Sequence, residues 1–151
     1  MSKQGIEIVG SPLGSDAFCT KYLEKEIDHI LHRAEGILQL HPQVAGKLLH
    51  ACVSPAPAYI SQLCPPHLTR PIFALFDRKL WNLWMKILGD TDDQLYVCVQ
   101  GRKRARGWAY LPARMGGTGL RSWFQTSSFS WFCSLASCIA AKSSLKKGYT
   151  F

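Results

Sequence analysis

A mainly α-helical fold is what this sequence predicts: a bundle-like arrangement of about five helices with one short β-strand at the N-terminus. Three observations predict it. Apolar residues recur at spacings of three and four along 16–40, 42–53 and 71–88. Prolines at 42, 65, 66 and 71 stand where such stretches begin or end. Only IEIV at 6–9 alternates β-branched residues as a strand does. The 151 residues are a single-domain length, divided here into a strand and turn over 1–15 and a helical domain over 16–151.

The elements follow in order. GSPLGS at 10–15 sets two glycines around a proline, so it breaks the strand and forces a turn. The strand has no visible sheet partner, and an isolated strand is marginal, so the first dozen residues are expected to be poorly ordered. Ser15 or Asp16 caps a helix over 16–40 whose apolar side is Leu23, Ile27, Ile30, Leu31, Ala34, Ile37 and Leu38. His41-Pro42 opens the next helix, proline standing where its missing N–H costs nothing. Val44, Ala45, Leu48, Leu49 and Cys52 form its apolar face, and SPAPAY at 54–59 interrupts it. A short helical turn runs from Tyr59 to Leu63. Pro71 begins the strongest helix, packed through Ile72, Phe73, Leu75, Phe76, Leu80, Leu83, Trp84, Ile87 and Leu88, and Gly89 ends it. Asp90 to Asp93 open a short helix to about Gln100. The last helix, within 122–147, is capped near Ser127 or Ser128 and packs Phe129, Trp131, Phe132, Leu135 and Ile139.

Charge is distributed unevenly. The net charge is +8, yet residues 1–93 hold nine Lys and Arg against all ten acids, and residues 94–151 hold nine basic residues and no acid. An acid-free half is attractive to a polyanion, nucleic acid above all. GRKRARG at 101–107 places Arg102, Lys103, Arg104 and Arg106 just before Trp108 and Tyr110. Aromatics beside arginines suit stacking on bases and contact with phosphates. A basic solubilising face or a nuclear address is the competing reading of that run. The six cysteines lack C-x-x-C spacing, and MSKQGIEIVG lacks the apolar core of a secretory leader. Reduced, mostly buried thiols of an intracellular protein, nuclear or cytoplasmic, are expected. The most apolar run, 129–141, is too short for a bilayer, so no membrane partner is expected.

Enzyme signatures fail on inspection. LPARMGGTGLRSW at 111–123 holds Gly116, Gly117 and Gly119, but no lysine follows as a P-loop requires. No acid stands about 20 residues later, as a dinucleotide fingerprint requires. The stretch reads as a structural turn that leaves Arg114 and Arg121 able to meet a phosphate. His29 and His32 are spaced for a metal on a helix, but no second ligand pair follows, so two solvated histidines and no metal site are expected. No cofactor is implied.

Four stretches, GIEIVGSPLGSDAF at 5–18, LHPQVAGKLLHACVSPAPAYISQLCPP at 40–66, FALFDRKLWNLWMKILG at 73–89 and AYLPARMGGTGLRS at 109–122, together resemble non-LTR-retrotransposon-type reverse transcriptases, downstream of their polymerase active site. The resemblance spans roughly residues 5–140. It implies that Ile6 to Gly14 corresponds to the strand and turn approaching the primer end, with Gly10 and Gly14 letting backbone come close. It implies that 16–89 corresponds to the helical thumb and its connection, which grip the template–primer duplex. The family's catalytic aspartates and (F/Y)-x-D-D box lie upstream of these motifs and have no counterpart here. A non-catalytic fragment is therefore implied, with non-specific nucleic-acid contact through the basic C-terminal half. Alternatives are an inert or protein-interacting helical remnant, and a piece acting with a separate palm fragment.

Overall fold

The computed structural model describes residues 5–89 and 107–147, the last five of these in backbone only. The expected helix over 90–100 and the cations at 102–106 lie outside the described residues. The fold is mainly α, with five helices among the described residues and a two-stranded sheet at the N-terminus.

The N-terminal strand is not alone, which corrects the expectation of an unpaired strand. β1 (Gly5–Ile8) pairs antiparallel with β2 (Ser11–Gly14), Gly5 opposite Gly14 and Ile8 opposite Ser11. The turn between them puts Val9 at φ 50° and Gly10 at φ 74°. Two successive left-handed residues make the tight turn whose twist matches paired strands. GSPLGS thus supplies both the turn's glycine and the second strand. Two tyrosines hold the hairpin down. The Tyr22 hydroxyl lies 3.2 Å from the Gly10 carbonyl and 3.3 Å from Glu7 Oε1. The Tyr59 hydroxyl donates to the Val9 carbonyl at 2.9 Å.

α1 (Asp16–Glu35) begins at Ser15, whose Oγ accepts the Phe18 N–H at 3.4 Å. Cys19, Leu23, Ile27, Leu31 and Ala34 recur along it and are buried. A 3₁₀ turn over Gly36–Gln39 leads to α2 (Pro42–Leu48), where Pro42 takes the first turn as expected and His41 Nδ1 accepts the Gln43 N–H. One wide π-type turn, Leu49–Val53, follows, then α3 (Ala58–Leu63).

α4 (Pro66–Ile87) starts five residues before the expected Pro71, which lies inside the helix. Pro66 takes the first-turn position, and Leu68 and Thr69 are buried ahead of Pro71. Their burial offsets the single backbone bond that Pro71 forfeits. α4 is the central element. Phe73, Phe76 and Leu80 are fully buried, with α1 on one side and α5 (Trp123–Lys147) on the other. α3 also packs on α5, and Trp123 meets Phe73 with ring centroids 6.1 Å apart.

α5 departs from expectation in two ways. It begins at Trp123, not near Ser127 or Ser128. Its packed residues are Trp123 and Ser127, while Phe129, Phe132, Leu135 and Ile139 are exposed and only Trp131 is half-buried. At 3.6 residues per turn the exposed apolar residues, Phe124 included, fall within about 140° of the helix circumference. The core-facing side holds Trp123, Ser127, Ser130 and Ser134 instead.

Candidate functional site

The segment 107–122 joins α4 to α5 and is folded back on itself. The Gly119 N–H donates to the Leu111 carbonyl at 2.9 Å, the Leu120 N–H to Ala109 at 3.1 Å, and the Thr118 hydroxyl to Ala109 at 2.7 Å. Gly116 and Gly119 are left-handed at φ 83° and 72°. A Cβ on Gly117 would collide with the Leu111 carbonyl. The three glycines therefore each meet a separate backbone demand, and the stretch is a structural turn, as the sequence suggests. Arg114 and Arg121 both stand exposed on it.

What the turn delivers is the start of α5. Asp77, on α4 and only 2% exposed, accepts the Trp123 N–H on Oδ1 at 3.0 Å. Its Oδ2 accepts the Phe124 N–H at 3.1 Å and the Ser122 hydroxyl at 2.7 Å. A carboxylate at a helix N-terminus satisfies orphan N–H groups and meets the positive end of the helix dipole. Ser54 completes the seat: its carbonyl accepts the Trp123 indole N–H at 2.6 Å and its hydroxyl the Arg121 N–H at 3.3 Å.

Beside this seat lies an open cleft of about 450 Å³ lined by Ala74, Asp77, Arg78, Gly107, Tyr110, Ser122, Phe124 and Gln125. Arg78 is the one cation in its described lining, and two further arginines nearby have aromatic partners. The Arg70 guanidinium sits over the Phe124 ring at 4.8 Å, and Arg121 over Trp123 at 5.2 Å. Among the described residues neither these two nor Arg78 is ion-paired, whereas Lys79 is bonded to Asp28 at 3.0 Å. The one acid in the lining, Asp77, turns its oxygens to Ser122 and the α5 amides.

Arg121 precedes the lining residue Ser122 in sequence but stacks on Trp123, outside the cleft lining, and Arg114 stands on the turn before it. Arg102, Lys103, Arg104 and Arg106 lie outside the described residues, and Gly107, next in sequence, lines the cleft. Gly10 and Gly14 belong elsewhere, to the hairpin turn and the end of β2. Of the residues in and beside the cleft the sequence reading names Tyr110, next to the basic run, but not Arg70, Arg78 or Phe124. Arg70 and Arg78 are eight residues apart on α4, a helical spacing that places them on one face and that could have flagged them.

Metal and thiol chemistry gain no support. His29 and His32 are exposed, His32 Nδ1 lying 3.9 Å from Glu35, and no cluster of metal-ligating groups occurs among the described residues. The expectation of mostly buried thiols is corrected: Cys19 and Cys64 are buried, but Cys52, Cys133 and Cys138 are exposed. No helix among the described residues is long and apolar enough to cross a membrane. No family model matches the chain, and neither the curated proteins nor the solved structures hold a similar one.

Proposed function

We propose that this chain is a non-catalytic relative of the reverse transcriptase thumb that binds nucleic acid without sequence preference through its basic C-terminal half. One observation carries the reading. Arg78, Tyr110 and Phe124 line one cleft, Arg70 stacks on the Phe124 ring, and the one acid in the described lining, Asp77, is bonded to Ser122 and the α5 amides. Guanidinium groups meet phosphates and aromatic rings accept bases, and neither contact reads sequence. The acid-free half of the chain adds a long-range field of the same sign.

The test is affinity for a fluorescent RNA–DNA hybrid and for a single strand between 50 and 200 mM salt, conditions on the order of those where counterion release dominates. Neutralising about four phosphates predicts a slope of log affinity on log salt near −3. Arg70→Glu with Arg78→Glu should remove most binding, and so should reversal of Arg102, Lys103, Arg104 and Arg106. Salt-independent binding, or none at low salt, would sink the reading.

The exposed stripe on α5 favours a second reading, a helical module that binds protein. Phe129 is 74% and Ile139 62% exposed, with Phe132 and Leu135 between them. A contiguous exposed apolar stripe marks a surface that a protein partner covers.

A further inference from the structure

A groove of about 820 Å³ runs between α2 and the C-terminal end of α4, apart from the cleft described above. That volume is within the range of small-ligand sites. We propose that it binds a nucleotide, the base lying on Trp84 and the phosphate held by Lys47. Only the source of that nucleotide, a strand or a free mononucleotide, rests on the nucleic-acid reading.

The walls are chemically divided. Trp84, Ile87 and Leu88 of α4 give an apolar side, and Lys47 and His50 give a polar side. Trp84 lies across α2 where Gly46 has no side chain; a Cβ there would come within 3.3 Å of the ring. The indole is thus set as a wall rather than a free rotor. His50 is fixed at the other end: its Nε2 lies 3.1 Å from the Gly119 carbonyl, and a carbonyl can only accept, so Nε2 carries the proton. The occupant follows from charge. Among the described residues no carboxylate lines the groove, and the sequence has none between Glu35 and Asp77, the stretch that includes α2. Lys47 is exposed and has no acid partner among the described residues. An aromatic face beside an unpaired ammonium suits a planar ring that carries an anion, and a nucleotide joins those two parts at short range.

The experiment titrates the full chain with adenosine monophosphate and, separately, with adenosine, following the Trp84 indole resonance, which is assigned by its loss in Trp84→Phe. Saturable shifts that are about tenfold weaker for adenosine, and equally weakened by Lys47→Glu, are expected. By titration calorimetry, because these two variants lack the reporting indole, Trp84→Phe should keep binding and Trp84→Leu lose it; Lys47→Glu, being exposed, carries the test should Trp84→Leu fail to fold. No shift, or equal affinity for the two ligands, overturns the proposal. A 12-nucleotide single strand separates the sources. About tenfold loss of strand affinity in Lys47→Glu places a strand nucleotide in the groove. Unchanged strand affinity with intact mononucleotide binding leaves the groove a free-nucleotide site. Mononucleotide binding without strand binding keeps the groove and sinks the nucleic-acid reading.

Discussion

Val9 is 85% exposed and holds φ 50°, a conformation that a β-branched residue adopts at a cost of roughly 1–2 kcal/mol. Its side chain packs against nothing that would be lost. Val9→Asn keeps the Tyr59 bond to the backbone carbonyl and places asparagine before Gly10, the preferred pair for this turn. It should stabilise the protein by about 1 kcal/mol, seen as a Tm rise of ~2–4 °C. An unchanged or lower Tm would argue against the two-residue turn. The opposite holds at Gly117, where any Cβ meets backbone that cannot swing aside. Gly117→Ala should cost about 2 kcal/mol in urea unfolding. Cysteine reactivity is also decided residue by residue. Burial pushes the Cys64 thiol from its usual 9.0 up to about 11, with Cys19 adding to the shift. The folded state therefore holds that proton more tightly, and stability is full below pH 9 and falls as pH rises from 9 towards 11. At pH 8 an alkylating reagent should modify Cys52, Cys133 and Cys138 quickly and leave Cys19 and Cys64 until the protein unfolds, as peptide mapping would report. The sequence does not separate these thiols, because burial is set by which helix face meets a neighbour.

At the scale of elements, legibility followed how local the cause was. α1 is readable because its cap and its apolar stripe lie within itself. α4 is readable in its interior, but its start is masked: Pro71 looks like a beginning, and only the burial of Leu68 and Thr69 shows why the helix tolerates it. β2 is hidden because glycine and proline argue against a strand, whereas a two-stranded hairpin has only edges, where proline is tolerated. The start of α5 is least legible, since its cap, Asp77, stands 46 residues away from Trp123. The aromatic–arginine cleft is illegible for the same reason, being assembled from α4, the glycine turn and α5. Asp77 can be tested directly. Asp77→Ala removes three accepted bonds and leaves the Trp123 and Phe124 amides without their carboxylate. It should cost about 3 kcal/mol. Asp77→Asn should recover part of that, since one amide oxygen still accepts. A loss under about 0.5 kcal/mol in the alanine variant, the scale of an ordinary surface change, would mean that the helix start is held by something else.

For the whole molecule, the question is why α5 turns its apolar residues away from the core. One face closes the core through Trp123, Phe73 and the Asp77 seat. The other turns Phe124, Phe129, Phe132, Leu135 and Ile139 to solvent over about 22 Å of helix. No charge interrupts α5 between Trp123 and Ala141. Mixed surfaces keep monomers apart, and a stripe of this length without charge does not. The fold itself has no need of that face, which gives a clean separation of effects. Replacing Phe129, Phe132 and Ile139 together by glutamine should leave the Tm within about 2 °C, because exposed residues carry little of the packing energy. The same variant should elute as a monomer at concentrations where the parent chain elutes larger on size exclusion. A large fall in Tm would show instead that the stripe is packed within the monomer. Equal elution of the two proteins would show that the stripe alone does not drive association, and the protein-binding reading of α5 would then lose its support.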